Sequence, residues 1–173
     1  ATASVFAGDA AGDLHALLAA LAEPADDGRF RAALATRLLG WDAARIAALD
    51  ADVDAAEAAS SGFSTAAERW RTRGPLPALL PFILEAASRW LGEAGGARRL
   101  TDALHLAELL QAESAHRHGP AEQLRWFARQ CALAAADEAR QLRLESDGGL
   151  VQIATIHKSK GLEYPIVVLP FAA

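Results

Sequence analysis

The segment RRLTDALHLAELLQAE, residues 98–113, decides the fold class of this 173-residue chain. Its apolar side chains recur at Leu100, Leu104, Ala107 and Leu110, and this spacing predicts an amphipathic helix with one face toward a core. The composition agrees, because 52% of the residues are hydrophobic and only 6% are aromatic, with alanine and leucine dominant. Such a composition favours packed helices over a β-sandwich. We therefore predict a mainly α-helical protein.

Upstream of this segment, the periodicity predicts further helices separated by turn residues. Asp42 is a suitable N-cap, and Ser60-Ser61-Gly62 is expected to interrupt or bend a longer helix. The clearest break is Gly74-Pro75-Leu76-Pro77, after which Pro81 requires either a later helix start or a bend. The helices predicted here cover residues 9–23, residues 29–39, a short stretch ending at Leu49, a stretch ending at Arg73, and the stretch carrying Leu79 to Trp90.

Downstream, Gly119-Pro120 opens a helix that is predicted to run to about Ala136. Residues 141–145 then alternate, with Leu142 and Leu144 predicted to face inward, and a polar turn follows. This pattern predicts the first strand of a β-hairpin. The second strand is the apolar run at residues 151–156, and residues 166–169 predict a further buried strand.

So few strands make a marginal sheet by themselves. We therefore expect the chain to be a piece of a larger protein, with a small β element at its C-terminus that belongs to an α/β domain. Polar side chains fill the turn between the last two strands, as at a polyanion site. These are Thr155, His157, Lys158, Ser159, Lys160, Gly161 and Glu163. On spacing alone, a solvated turn is the competing interpretation.

The totals exclude several classes of protein. The net charge of -5 disfavours broad electrostatic attraction to nucleic acid, so any phosphate contact must be local. Cys131 is the only cysteine, which leaves no internal disulfide. No basic residue precedes Arg29 and no apolar stretch is long enough to span a bilayer. We expect a soluble, cytoplasmic protein without a membrane contact.

The segment TIHKSKGLEYPIVVLP, residues 155–170, resembles motif V of the UvrD/Rep superfamily of ATP-dependent DNA helicases. Residues 95–102, GGARRLTD, and residues 143–147, RLESD, are similar to the RecB-type helicase-nuclease subunits of exodeoxyribonuclease V. An AddA-like helicase-nuclease, or another UvrD-type helicase, remains an alternative because its motif V has a similar sequence.

The resemblance implies a domain organisation. In such helicases two RecA-like domains clamp ATP, and a helical insertion called 2B interrupts the second of them, 2A. Residues 1–25 would be part of 2A, residues 26–140 the bundle-like 2B domain, and residues 141–173 the return to 2A with the hairpin and motif V. The implied partners are single-stranded and duplex DNA and the RecC-like and RecD-like subunits of the parent complex.

The resemblance also implies roles for the polar residues. Thr155, His157, Lys158 and Lys160 would contact the DNA backbone, which needs donors and positive charge but no base recognition. Gly161 and Glu163 would serve the nucleotide, with the Glu163 carboxylate accepting a hydrogen bond from the ATP ribose. One short segment would thus touch both ligands and couple them.

The parent protein would need ATP and Mg²⁺, but the 173 residues contain no GxxxxGK[ST] loop and no nuclease motif. We therefore expect no catalytic residue and no bound cofactor or metal in this piece, and we expect it to be inactive alone. A helical protein-interaction module without a nucleotide or DNA role is the competing function.

Other polar groups have simpler interpretations. His116 and His118 suit an exposed loop better than a metal site. Arg98 and Arg99 are expected to pair with Glu93 or Asp102 more readily than with phosphate. The stretch Trp70-Arg71-Thr72-Arg73 interleaves aromatic and basic residues as single-strand binders do, although intramolecular ion pairs are favoured here. The four tryptophans are expected to anchor the core.

Overall fold

The computed structural model describes the backbone of residues 4–146 and the side chains of residues 4–139. Over this range the chain is mainly helical, as predicted, and contains no strand. The helices up to Ala139 form one compact unit. The elements are a 3-10 helix at Val5–Ala7 followed by α1 Asp9–Ala22, α2 Asp27–Leu34, α3 Ala43–Ala48, α4 Val53–Arg73, α5 Pro75–Trp90, α6 Gly96–Glu113 and α7 Gly119–Ser146.

Helix α1 lies at the centre of this unit and packs against α2, α4 and α6. Leu14, Leu17, Leu18 and Leu21 are almost completely buried on its inner side. Helix α5 packs against both α4 and α6, which extends the same core. Because a fully buried leucine contributes about 1.5–3 kcal/mol relative to an exposed one, the α1 leucines stabilise the unit more than any surface ion pair.

Three aspartates begin three of the helices. Asp26 accepts a hydrogen bond from the Arg29 backbone N–H at 3.0 Å, and Asp52 accepts one from Ala55 at 3.0 Å. The prediction for Asp42 is confirmed, because it accepts from the N–H of Arg45 at 2.7 Å and α3 follows it. Each cap satisfies a donor that the first helical turn leaves free and contributes about 1 kcal/mol.

Helix α2 ends at Leu34, five residues earlier than predicted. The Thr36 hydroxyl donates to the Ala33 carbonyl at 2.6 Å, and the Trp41 N–H reaches back to the Leu34 carbonyl at 3.1 Å. These bonds replace the helical ones and turn the chain. Gly40 has a φ of +69°, which a glycine adopts without strain.

Helix α4 runs without interruption through Ser60-Ser61-Gly62, so the interruption, one of the two predicted alternatives, is wrong, while the bend stays a prediction. The propensity cost of glycine and serine inside a helix is about 1 kcal/mol or less per residue. Burial of Phe63 and Trp70 on the following turns outweighs it. Local sequence signals yield here to tertiary packing.

Helix α5 starts at Pro75, which excludes the later start near Pro81, one of the two predicted alternatives; the other, a bend at Pro81, stays a prediction. Pro75 occupies the first turn, where no backbone donor is needed. Pro81 lies inside the helix and is exposed to solvent, and its missing N–H removes one hydrogen bond of the helix. The Gln111 side chain supports the start of α5, because its Oε1 accepts from the Leu76 N–H at 3.0 Å.

The predicted helix at residues 98–113 is confirmed as α6, although its buried face is rotated relative to the predicted one. Ala103, Leu106, Ala107 and Leu110 are fully buried, whereas Leu100 and Leu104 are only half-buried. Both α5 and α1 pack against α6, so the buried face of α6 is wider than predicted and includes Leu106.

The predicted strand at residues 141–145 is wrong, because α7 continues through these residues to Ser146. The stretch QLRLE consists of good helix formers, and alternation over five residues is a weak signal beside a helix already under way. The predicted strands at residues 151–156 and 166–169 lie outside the described residues.

Gly95 and Gly96 begin α6 and provide a matched pair for testing the turn after α5. A Cβ at position 96 would overlap the Trp90 carbonyl oxygen, whereas a Cβ at position 95 has open space. We expect Gly96→Ala to lower the free energy of unfolding by at least about 3 kcal/mol, because the clash involves backbone. Gly95→Ala should cost about 1–2 kcal/mol for its φ of +75°. Urea unfolding of both variants checks this, and equal effects would contradict it.

Asp13 is an acidic group within the α1 core. Its carboxylate is hydrogen-bonded by the backbone of Leu38 and Arg37, but its Oδ2 is buried without a partner. Burial raises the pKa of Asp13 above 3.8, because the charged form loses solvation while the hydrogen bonds compensate only in part. The carboxyl therefore holds the turn after α2 onto α1 at an electrostatic cost.

This cost predicts a pH dependence for Asp13→Asn. The folded pKa is raised, so the wild-type carboxyl favours folding below its unfolded pKa and loses that contribution as the pH rises through the folded value. An amide stays neutral and keeps its acceptor oxygen, so the stability advantage of the variant should grow over this window and then level off. Urea unfolding from about pH 3 to pH 7 measures it. Asp50→Asn, at an exposed ion pair with Arg31, is the control; an advantage that shrinks with pH would refute the idea.

Candidate functional site

The six residues predicted to bind DNA or nucleotide lie outside the described residues, so their roles stay predictions. They are Thr155, His157, Lys158, Lys160, Gly161 and Glu163. The structure describes the side chains of the helical unit that precedes these six residues in the chain. Its aromatic and basic side chains decide which surfaces of that unit are free to bind a ligand.

Arg98 and Arg99 are paired within the chain, as predicted. Arg98 Nε lies 2.8 Å from Asp102 Oδ1, and Arg99 Nη1 lies 2.9 Å from Glu93 Oε2. The Arg99 guanidinium carbon also lies 5.6 Å from the centre of the Trp90 ring. Both cations at the start of α6 therefore have anionic partners and are poor candidates for phosphate contacts.

Trp70 belongs to the core and is not a stacking platform for bases. Its indole Nε1–H donates to Gln123 Oε1 at 2.6 Å, and Gln123 Nε2 donates in turn to the Arg117 carbonyl at 3.0 Å. Gln123 is the one polar residue among the buried side chains of residues 4–139, and this chain of bonds satisfies it. The pair joins α4 to the first turn of α7.

The other tryptophans also pack against the core. Trp90 is fully buried, while Trp41 and Trp126 are half-buried at its edge. The Arg45 guanidinium covers Trp41 at 3.6 Å from the ring centre. The prediction of core anchors is confirmed for Trp70 and Trp90, and the remaining two form the margin of the same cluster.

The arginines around Trp70 fall into two groups. Arg71 pairs with Glu68 Oε2 through Nε at 3.1 Å and Nη2 at 2.6 Å, which confirms the predicted intramolecular pairing for this residue. Arg73 and Arg69 are exposed, and neither has an ion pair or hydrogen bond within the part of the chain that the structure describes. The sequence interpretation did not include Arg69, although its four-residue spacing from Arg73 places both on one helical face.

A second basic groove lies on α7. Arg117, Glu122, Arg125, Trp126 and Arg129 line it together with Gln130 and Leu133. Arg117 pairs with Glu113 at 2.9 Å, while Arg125 and Arg129 have no such partner among the described residues. The groove thus combines positive charge with a carboxylate, an indole and an exposed leucine, a mixture more typical of protein contacts than of phosphate sites.

His116 and His118 lie exposed in the loop before α7, as predicted. Among residues 4–139, no three histidine, cysteine, aspartate or glutamate side chains come together in a way that suits a metal ion. Burial raises the pKa of the half-buried Cys131 thiol, which keeps it in the less reactive protonated form. Within the described range, no helix has the length and apolar character needed to cross a membrane.

Residues 85–173 match the UvrD-like helicase C-terminal domain, which includes the end of α5, α6, α7 and the motif at residues 155–170. The chain belongs to this family. The predicted resemblance to UvrD-type helicases is therefore confirmed, and it extends over slightly more than half of the residues.

Curated relatives of this UvrD-type chain are RecB proteins. It is 41% identical to the RecBCD enzyme subunit RecB of Escherichia coli K12 over 171 residues, which cover 97% of this chain and 14% of that protein. It is 43% identical to the Haemophilus influenzae subunit over 82% of this chain and 12% of that protein. The Mycobacterium tuberculosis CDC 1551 subunit is 38% identical over 97% of this chain. The predicted similarity to RecB is confirmed, and the chain spans about 14% of the E. coli subunit.

The Trp70–Gln123 hydrogen bond can be tested by a double-mutant cycle. Gln123→Leu keeps the side-chain volume but leaves the Trp70 indole N–H buried without an acceptor, which should cost about 1–3 kcal/mol. Combining it with Trp70→Phe should cost less than the sum of the two single changes. Urea unfolding gives the energies, and Gln130→Leu on the same helix is the control. Strict additivity would show that the bond does not join α4 to α7.

Proposed function

We propose that this chain is part of a RecB-like, ATP-dependent DNA helicase and exodeoxyribonuclease subunit that processes double-strand breaks for recombinational repair. The single observation that carries this proposal is the identity of 41% to the E. coli RecB subunit across 97% of the chain. The parent protein would use ATP and Mg²⁺ and would assemble with RecC-like and RecD-like subunits. The 14% share of that relative means that the present residues supply only one portion of such an enzyme.

We assign the helices of residues 26–140 to a 2B domain, and residues 1–25 and 141–173 to 2A. The compact helical unit ending at Ala139 supports the boundary near residue 140. Helix α1, within the first 25 residues, packs against α2, α4 and α6. The proposed first segment of 2A thus shares a hydrophobic core with the 2B helices, and movement of α1 relative to them would cost buried leucine contacts.

We assign the contacts with ligands to motif V. Thr155, His157, Lys158 and Lys160 would hold the DNA backbone, because hydroxyl, imidazole and ammonium groups donate to phosphate oxygens. Gly161 would allow close backbone approach, and Glu163 would accept a hydrogen bond from the ATP ribose, since a carboxylate suits a sugar hydroxyl. With no Walker A sequence in its 173 residues, the piece alone would neither hydrolyse ATP nor unwind DNA.

Binding of labelled single-stranded DNA by the full 173-residue chain tests the motif V assignment. The double variant His157→Ala, Lys160→Ala should bind more weakly at low salt, and its plot of log K against log salt should be shallower by about 0.7, for one lost cationic contact to a single strand. Glu163→Ala should leave this DNA affinity unchanged while it raises the KM for ATP of the parent enzyme. DNA binding that is indifferent to the double variant would contradict the assignment.

A protein-interaction module is the second candidate function, and the outer face of α5 favours it. Leu84 is 58% exposed and Leu91 is 62% exposed, one on each side of Ser88 along the helix. Leu91 directly follows the last residue of α5, and we propose that the two leucines belong to one apolar patch, the kind of surface feature that marks contacts with other proteins. Indifference of DNA binding to the motif V variant, together with loss of subunit assembly on Leu84→Ser, would favour this function.

A further inference from the structure

The C-terminal half of α4 presents a polar surface that the proposed motif V contacts do not use. Its lining residues share hydroxyl or guanidinium groups, with one carboxylate among them. We call this the α4 arginine surface, and it comprises Ser64, Thr65, Glu68, Arg69, Thr72 and Arg73. All six residues are exposed along the helix.

Two cations on this surface lack a partner. Arg69 and Arg73 stand one helical turn apart, so their Cβ atoms are separated by about 5–6 Å. Within residues 4–139, no carboxylate lies within ion-pair distance of either guanidinium. Most other arginines of the unit are engaged, by acids at Arg31, Arg37 and Arg98 and by a carbonyl at Arg89. Among residues 4–139, α4 and α7 are the helices that each carry such a pair, Arg69 with Arg73 and Arg125 with Arg129.

The single carboxylate of the surface is already neutralised. Glu68 Oε2 receives two hydrogen bonds from Arg71, at 3.1 Å and 2.6 Å. The acids at the other end of α4 begin at Glu57, twelve residues from Arg69, which is about 18 Å along a helix. That distance exceeds the Debye length of about 8 Å at physiological salt, so these acids do not cancel the charge of Arg69 and Arg73.

The hydroxyl groups favour phosphate as the ligand. Ser64 and Thr65 have no hydrogen-bond partner within the described part of the chain, so their O–H groups are free to donate. The Thr72 hydroxyl instead donates to the Glu68 carbonyl at 2.8 Å. Arginine and hydroxyl side chains are the groups that contact phosphate and sugar in protein–DNA interfaces.

The α4 arginine surface has no aromatic side chain on which a base could stack. Trp70, the aromatic residue between Arg69 and Arg71, is buried and bonded to Gln123, so it cannot stack on a base. This bond also holds α4 against α7 and keeps the two guanidinium groups on a rigid support. Without such stacking, we expect the arginine and hydroxyl groups to contact phosphate and sugar, the commonest partners of these side chains in protein–DNA interfaces.

We infer that the α4 arginine surface binds the sugar-phosphate backbone of nucleic acid, with Arg69 and Arg73 on neighbouring phosphates and the Ser64 and Thr65 hydroxyls donating beside them. The α7 groove is a less suitable phosphate site, because the Glu122 carboxylate that lines it has no ion pair among the described residues and repels phosphate. The contact on α4 is separate from motif V and stands or falls independently of it.

The test measures binding of the 173-residue chain to a fluorescein-labelled duplex and to a labelled single strand over a range of salt concentrations. The double variant Arg69→Ala, Arg73→Ala should weaken duplex binding about tenfold at low salt. It should also make the slope of log K against log salt shallower by about 1.8, because two phosphate contacts are lost at 0.9 each. Double replacement by lysine should restore most of the salt dependence, since it keeps both charges.

Two matched variants separate this contact from other causes. Arg125→Ala with Arg129→Ala removes the same charge from an exposed helix face and should change duplex affinity less than twofold. His157→Ala with Lys160→Ala tests motif V alone, so its failure to weaken binding would count against the proposed function and leave the α4 contact intact. Thermal unfolding should be unchanged in every arginine variant, because all four side chains are exposed.

Three results would overturn the inference. The first is equal weakening by the α4 and α7 variants, which would indicate net charge as the cause. The second is unchanged duplex binding and salt dependence in the α4 variant. The third is competition by poly-glutamate at the same charge concentration as effective as by unlabelled duplex, which would identify an acidic protein segment as the ligand.

Discussion

Burial of the α1 leucine face is the constraint on which the rest of the helical unit depends. Leu14, Leu17, Leu18 and Leu21 are almost completely buried, and α1 packs against α2, α4 and α6, so these helices cannot be placed independently. This shared burial also explains why weak local signals were overridden. A serine-glycine stretch costs little in comparison, and α4 passes through it without a break.

A small set of polar bonds then fixes the ends of the helices around that core. Gln111 supports the start of α5, Gln123 joins α4 to α7, and Arg89 Nη2 donates to the Leu38 carbonyl at 2.6 Å in the turn after α2. Ion pairs also use most of the positive charge on the surface, because most arginines of the helical unit pair with an aspartate or glutamate. In the part of the chain that the structure describes, the arginines of α4 and α7 that have no acidic partner are therefore available to an outside ligand.

How far the sequence predicted this fold depends on the range of the interactions involved. The amphipathic pattern of α6 and the Asp42 cap are local features, and both predictions were confirmed. The early end of α2 and the continuation of α7 to Ser146 were not predicted. At the end of α2, hydrogen bonds of the Thr36 side chain and of the following backbone replace those of the helix. In α7, helix propensity and the helix already formed outweigh the five-residue alternation.

The sequence by itself determined the family of this chain, because the motif at residues 155–170 consists of consecutive residues and can be recognised without three-dimensional information. Only the tertiary structure decided which members of Trp70-Arg71-Thr72-Arg73 are available to a ligand. Trp70 is buried and donates a hydrogen bond to Gln123, 53 residues away, and Arg71 is paired with Glu68. Arg73 and the neighbouring Arg69 have no ion pair or hydrogen bond with the residues up to Ala139. Pairing of this kind depends on which helices pack together, and that is settled by the shared core.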